Sequence, residues 1–273
     1  MSAPHDPELD AVDLVRADGT AGALWQAWTT GERITSLPEL LQPRTLAEGF
    51  AAQQRLAERA GPAYGWKLAA TAPAGQAHIG VDEPLPGLLF ERFRHAPGDV
   101  VPAHDLHMAV AEAEFAFRMR ETVEPGSSVP ALLDAVASLH VAVELPDSRF
   151  AAFETAGAPQ LLADAACASR FVLGAQIAGW RDLDLSSTCT ALWINGEEVA
   201  RGSGAAVLGD PRTALAWLAD ALPSYGLRLE AGSVVTTGTT TVPVPIAAGD
   251  AVRATFGDDG VLGEVAFTLG RPA

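Results

Sequence analysis

The sequence predicts an α+β fold built on a mixed or antiparallel sheet, and three observations predict it. The first sixty or so residues carry helical patterning, residues 108–119 alternate apolar and non-apolar faces strictly, and the stretch from Ser233 to Leu269 is strand-like with glycine-rich turns. Helices and strands do not alternate regularly enough for a doubly wound sheet. At 273 residues and 48% hydrophobic content the chain is long enough to bury a sizeable core.

Taken in order, Leu14, Leu24, Trp25 and Trp28 outline an apolar helical face, expected to break between Gly19 and Gly22. A second helix starts at Thr45-Leu46-Ala47-Glu48, whose Thr and Glu fit a capping box, and ends at Gly61. From Tyr64 short apolar runs bounded by Gly and Pro replace the helical pattern, which divides the chain into a helical region, residues 1–62, and a strand-rich remainder, residues 63–273. In MAVAEAEFAFRM, residues 108–119, Ala109, Ala111, Ala113, Phe115, Phe117 and Met119 share one face, and Glu112 and Glu114 share the other. Helices are expected over 130–139 and 158–168, with short apolar strands at 140–144 and 171–177. Asn195-Gly196 is the turn of a hairpin over 190–201, and Pro211 opens a helix that runs to Leu222.

Composition excludes several classes of function. With 18 Lys+Arg against 34 Asp+Glu the net charge is −16, so neither nucleic acid nor an anionic membrane surface is an expected partner. No run of 18 apolar residues spans a bilayer. The two cysteines, Cys167 and Cys189, form no disulfide framework and no zinc spacing, and the acidic opening lacks the basic region of a secretory signal. A cytoplasmic location is expected. There is no nucleophile elbow, HExxH helix, P-loop or dinucleotide fingerprint.

The residues that carry chemistry are few. Glu112 and Glu114 lie about 6.8 Å apart along one strand face, at ~3.4 Å per residue. Such a pair is either solvated or held by a hard cation such as Mg²⁺. Glu144 follows the apolar run VAV. It is either a third oxygen ligand or a salt-bridge partner for Arg149. Of the 18 basic residues 17 are arginine, and the single lysine is Lys67, in the strand-like GWKLAA. Arginine cannot exchange a proton near neutral pH, whereas a lysine with a shifted pKa can. The turns Gly202-Ser203-Gly204 and Thr237-Gly238-Thr239 offer backbone N–H groups to an anion, or are plain turns.

In order along the chain, GWKLAAT (65–71), GVDEPLPGLLF (80–90), AEAEFAF (111–117), AVELPDSRF (142–150), GSGAAVLGDP (202–211) and the late Gly238-Thr239 followed by AAGD resemble the 2-keto-4-pentenoate hydratase group of the fumarylacetoacetate hydrolase superfamily. The resemblance implies a mixed β-sheet roll or barrel as the catalytic domain, residues 63–273. It implies Mg²⁺ or Mn²⁺ on Glu112, Glu114 and Glu144, with Lys67 as acid/base and Asp82 as its acidic neighbour. Gly204, Thr239 and Arg149 are the expected substrate contacts, and a homo-oligomer is the expected assembly. The implied reaction hydrates a short 2-hydroxydienoic acid through a metal-stabilised enolate, giving a 4-hydroxy-2-oxo acid. Decarboxylation of a 2-oxo-enedioate, C–C hydrolysis of an acylpyruvate, or a catalytically silent partner subunit are the alternatives. The chain departs from the group's Ala-Asp-Asn-Ala-Ser at Ala163-Asp164-Ala165-Ala166-Cys167 and from its LGxPLNA at Leu208–Ala214.

Overall fold

The computed structural model describes residues 9–103 and 105–270. Two helices lead, α1 (Ala11–Thr30) and α2 (Leu46–Ala60), followed by β1 (Ala63–Ala69), α3 (Pro73–Ile79), β2 (Leu85–Phe90), β3 (Arg94–His95) and β4 (Val100–Val101). The central strands are β5 (Val110–Met119), β6 (Val136–Leu145) and β7 (Arg170–Gln176), with α4 (Val129–Asp134) and α5 (Ala158–Ala163) in the connections. The hairpin β8 (Cys189–Ile194) and β9 (Glu197–Ser203), α6 (Pro211–Ala221), β10 (Val234–Thr239), β11 (Val244–Pro245), β12 (Ala251–Phe256) and β13 (Gly263–Leu269) complete the chain.

The larger sheet runs β2-β1-β10-β5-β6-β7-β3, with β11 added to β5; the smaller runs β4-β13-β12-β8-β9. Most pairs are antiparallel, while β1/β10, β3/β7 and β4/β13 are parallel, so both sheets are mixed, as the expected roll requires. Period-two alternation decides what each face meets. Phe115, Phe117, Val141, Val143 and Val235 point into a core shared with Phe256, Val265 and Leu192 of the smaller sheet, where Phe115 and Phe256 meet edge to face at 5.2 Å. Ala116, Ala142, Phe171 and Val234 point the other way, onto Leu24 and Trp28 of α1 and Ala52 and Leu56 of α2. Helices α1 and α2 thus cover the second face of the large sheet.

Several expectations need correction. Helix α1 runs unbroken through Gly19 and Gly22. A Cβ at Gly19 would stand 2.6 Å from a Leu41 methyl, so the glycine serves close packing there. The helix expected over 130–139 stops at Asp134, because β6 begins at Val136 and pairs with β5 along its length. The helix expected over 158–168 stops at Ala163 and gives way to Ala165, Ala166 and Cys167, all left-handed with φ of 50°, 49° and 63°. Thr45 caps α2 through the Glu48 N–H, but the Glu48 carboxylate reaches the Arg44 N–H and Arg16, so the capping box is only half made. The Asn195-Gly196 turn forms as expected, with φ of 53° and 88°. Among the described residues no helix is long and apolar enough to cross a membrane.

Candidate active site

Strand register assembles the site. Glu112 of β5 lies directly opposite Glu144 of β6, and Glu114 is two residues along the same face. Lys67 of β1 pairs with Thr236 of β10, which in turn pairs with Ala116. These side chains therefore share the sheet face that Ala142 and Ala116 define. One carboxylate oxygen from each glutamate lies within 4.8 Å of the others. Of the Glu-x-Glu pair, Glu114 is 1% exposed and therefore not solvated, while Glu112 is half-buried and faces the cavity.

The donors around these carboxylates are incomplete. Glu114 Oε2 accepts from the Thr236 hydroxyl and, at 2.9 Å, from the Gly238 N–H. Glu114 Oε1 and both Glu144 oxygens accept no hydrogen bond. Lys67 Nζ stands 3.2 Å from Glu144 Oε1 as an ion pair and donates to the Ala166 carbonyl at 3.1 Å. Two buried carboxylates and a half-buried third facing one ammonium leave a surplus of negative charge that burial makes costly. A hard divalent cation with oxygen ligands fits both the surplus and the orphaned oxygens.

The protonation states follow from the same geometry. Burial, then the Glu144 carboxylate, push Glu112 up to about 7, against the pull of Lys67. Burial and the neighbouring glutamates push Glu114 well above the usual carboxylate range, with the Thr236 hydrogen bond opposing. Burial also raises Glu144, with Lys67 opposing. Burial alone would depress Lys67, but Glu144 and Glu112 outweigh it and raise its pKa. Burial and the Asp164 charge push the Cys167 thiol up to about 12, so it stays neutral.

Lys67 and Glu112 open into a cavity of about 800 Å³. Thr239, Ser203, Gly202 and Cys167 also line it. Left-handed non-glycine residues gather here: Ala70, Ala166 and Cys167 line the cavity, and Ala109 sits between the lining residues Met108 and Val110. Backbone strain of this kind concentrates where a site is pre-organised.

Three expected site residues lie elsewhere. Asp82 is exposed in the turn after α3 and does not line the cavity, so the neighbour that sets the Lys67 charge is Glu144. Arg149 is fully buried and pairs with Asp164 rather than with Glu144. Its Nη1 donates to the Ala168 carbonyl at 2.9 Å, its Nη2 to the Asp164 carbonyl, and its guanidinium stacks 3.9 Å from the Trp28 ring. Gly204 donates its N–H to the Thr188 carbonyl at 3.3 Å, and a Cβ there would stand 2.1 Å from the Leu185 carbonyl, so close packing explains it. Thr239 does line the cavity, with its hydroxyl donating to the Thr241 carbonyl at 2.9 Å.

Residues not singled out from the sequence prove essential to the geometry. Thr236 orients Glu114 through its hydroxyl, alongside the N–H of Gly238, whose turn the sequence offers as an anion contact. Asp147 accepts the His107 and Met108 N–H groups at 2.8 Å each and fastens that approach to β5. Ser148 donates to Asp164 at 2.8 Å, so the PDSRF segment holds the 164–168 run in place.

Comparison with known proteins agrees with this fold. Residues 70–269 match the family described as fumarylacetoacetate (FAA) hydrolase C-terminal. The chain is 34% identical to a 4-oxalocrotonate decarboxylase of Pseudomonas sp. (strain CF600), over 78% of this chain and 82% of that one. It is 32% identical to a 2-keto-4-pentenoate hydratase of Paraburkholderia phymatum, over 82% and 87%. Among solved structures, a 4-oxalocrotonate decarboxylase from Pseudomonas putida G7 complexed with magnesium and adipate superposes with a TM-score of 0.85 at 29% identity, covering 93% of this chain and 97% of that one.

Proposed function

The chain belongs to the fumarylacetoacetate hydrolase family, and on that premise we propose that it is a divalent-metal-dependent lyase of the 2-keto-4-pentenoate hydratase type. It adds water to a short 2-hydroxydienoic acid and yields a 4-hydroxy-2-oxo acid. The observation that carries this reading is the trio Glu112, Glu114 and Glu144, with orphaned oxygens, beside one buried amine at a cavity wall.

Glu112, Glu114 and Glu144 would hold Mg²⁺ or Mn²⁺. When bound, the cation supplies positive charge opposite the carboxylate and 2-oxygen of the substrate, where negative charge develops. Lys67 Nζ moves the proton that turns the dienol into the conjugated ketone to which water adds. The Ala166 carbonyl and Glu144 fix the direction of Nζ. The proton on Nζ is held by the charge of Glu144 and Glu112, so neutralising that charge loosens it. Gly238 and Thr236 keep Glu114 turned toward the other two carboxylates.

The likeness to 4-oxalocrotonate decarboxylases favours a second reading on the same residues, loss of CO₂ from a 2-oxo-enedioate. Incubation with Mg²⁺ and 2-hydroxypenta-2,4-dienoate, followed by loss of the diene absorbance and mass analysis of the product, tests the first reading. Release of CO₂ from 4-oxalocrotonate tests the second. Turnover of neither substrate with Mg²⁺ or Mn²⁺ overturns both.

A homo-oligomer is part of this reading. Val12 and Val15 on α1 and Leu40 in the 3₁₀ turn Glu39–Leu41 are apolar side chains left 65%, 73% and 80% exposed, which a second copy would cover.

A further inference from the structure

The cavity is larger than the proposed chemistry requires. A five-carbon 2-hydroxydienoate has about eight heavy atoms, each smaller than the ~30 Å³ share of a water molecule. It fills less than about a third of the 800 Å³. The buried end is the polar one, where Lys67 is 3% exposed beside Glu112. Toward solvent the wall is mostly hydrocarbon: Ala72, Ala74 and Ile79 at α3, with Phe153, Val242 and Pro243 facing the same space. Val242 is 68% exposed, so this apolar wall is incomplete on its own.

Among the described residues the outer end carries one cation, and it is shared with a carboxylate of this chain. Arg201 is the one arginine among the described lining residues, and Glu198 engages it twice, Nε to Oε1 at 2.9 Å and Nη2 to Oε2 at 2.7 Å. His78 on the same wall lies edge-on to the Phe153 ring, 5.6 Å between centroids. A second carboxylate arriving here meets only an exposed arginine already shared with Glu198, a weak return for the water it loses. An alkyl or aryl group arriving here gains by leaving water.

We infer that the site takes a 2-hydroxydienoic or 2-oxo monoacid carrying an extended alkyl or aryl group at the end remote from the 2-oxygen, and discriminates against dicarboxylic acids. The inference rests on the proposed function, because it assigns the oxo-acid end to the glutamates and Lys67. The small side chains of Ala72 and Ala74 leave the volume that the tail occupies, and Phe153, Ile79 and Val242 contact it.

Calorimetric titration of the Mg²⁺-loaded protein with 2-oxobutanoate, 2-oxohexanoate, 2-oxooctanoate and 2-oxoadipate tests this without requiring turnover. Kd is expected to fall about fourfold for each methylene buried. By that measure 2-oxooctanoate binds at least about tenfold more tightly than 2-oxohexanoate. The diacid 2-oxoadipate is expected to bind more weakly than 2-oxohexanoate. Ala74→Trp, on an exposed helix position, fills the outer cavity and flattens the chain-length gradient. Equal affinity along the series, tighter binding of the diacid, or a full gradient in Ala74→Trp overturns the inference while leaving the oxo-acid site standing. Failure of every probe to bind, 2-oxobutanoate included, overturns the proposed function itself.

Discussion

The protonation of Glu112 links folding, metal binding and pH in one measurable quantity. Its pKa rises from 4.5 to about 7 in the metal-free fold, through burial and the Glu144 charge. Between these values the folded chain holds a proton that the unfolded chain has lost. The associated stability is therefore fully present below about pH 4.5 and disappears as pH rises through about 7. The displacement from 4.5 to about 7 corresponds to about 3 kcal/mol, shared among the mutually charged Glu112, Glu114 and Glu144 rather than owned by one of them. For a chain of this size that is roughly 6–12 °C in Tm. Divalent cations bind only the ionised carboxylates, so the stabilisation by Mg²⁺ must grow across the same window. The assay is thermal unfolding in EDTA and in excess MgCl₂ at intervals from about pH 5 to 8. We expect the Tm difference between the two conditions to be smallest at the acid end and to increase through neutrality. Glu112→Gln, which keeps the shape without the titration, should flatten that increase and weaken Mg²⁺ stabilisation. A Mg²⁺ effect of constant size over the window, or a Glu112→Gln protein that keeps the wild-type pH dependence, would refute the reasoning.

Lys67→Met and Lys67→Arg should both lose turnover while still gaining Tm from Mg²⁺; retained turnover in Lys67→Arg removes proton transfer at Nζ from the mechanism. Arg149→Met leaves Asp164 buried without its cation and should cost about 3–5 kcal/mol in denaturant unfolding, where a loss below about 1 kcal/mol would show that the pair is not structurally needed. Gly87→Ala places a Cβ 1.9 Å from the Ala165 carbonyl and 3.1 Å from Lys67 Cγ. We expect a destabilisation on the order of 2 kcal/mol together with a loss of turnover, and normal values in both assays would contradict the packing. Val15→Glu combined with Leu40→Glu should lower the molar mass measured by light scattering, and an unchanged mass would place any oligomer contact elsewhere.

What could be read in the sequence depended on the range over which each signal acts. Glu112 and Glu114 share a face because they lie on one strand, and alternation alone shows it. The meeting of Glu112 with Glu144 depends on register, and register depends on β6 starting at Val136. The sequence reads as helix to residue 139 and strand only over 140–144, so local pattern offers Glu144 as a third ligand without fixing which residue it faces. Arg149 misleads for the opposite reason. It stands five residues from Glu144 in sequence, yet β6 ends at Leu145 and the following turn sends the guanidinium under Trp28, on a helix more than a hundred residues away. Asp82 is misleading in the same way, since α3 carries the chain out to solvent before that residue is reached.

The left-handed run at 165–167 had no local signal, because alanine and cysteine rarely adopt that conformation and neither advertises it. Its cause is tertiary. Asp164 is captured by Ser148 and by Arg149, and Arg149 in turn holds the carbonyls of Asp164 and Ala168 at either end of the run. The backbone between those clamps turns the Ala166 carbonyl onto Lys67 Nζ. This bears on the residues that differ from the hydratase-like Ala-Asp-Asn-Ala-Ser pattern. Ala165 and Cys167 occupy the Asn and Ser positions, and only Cys167 lines the cavity, as a thiol that burial keeps neutral. The contact to Lys67 comes from a main-chain carbonyl, which side-chain replacement leaves in place. The contact that orients Lys67 therefore survives the change of side chains, and the change acts instead on the polarity of the cavity wall.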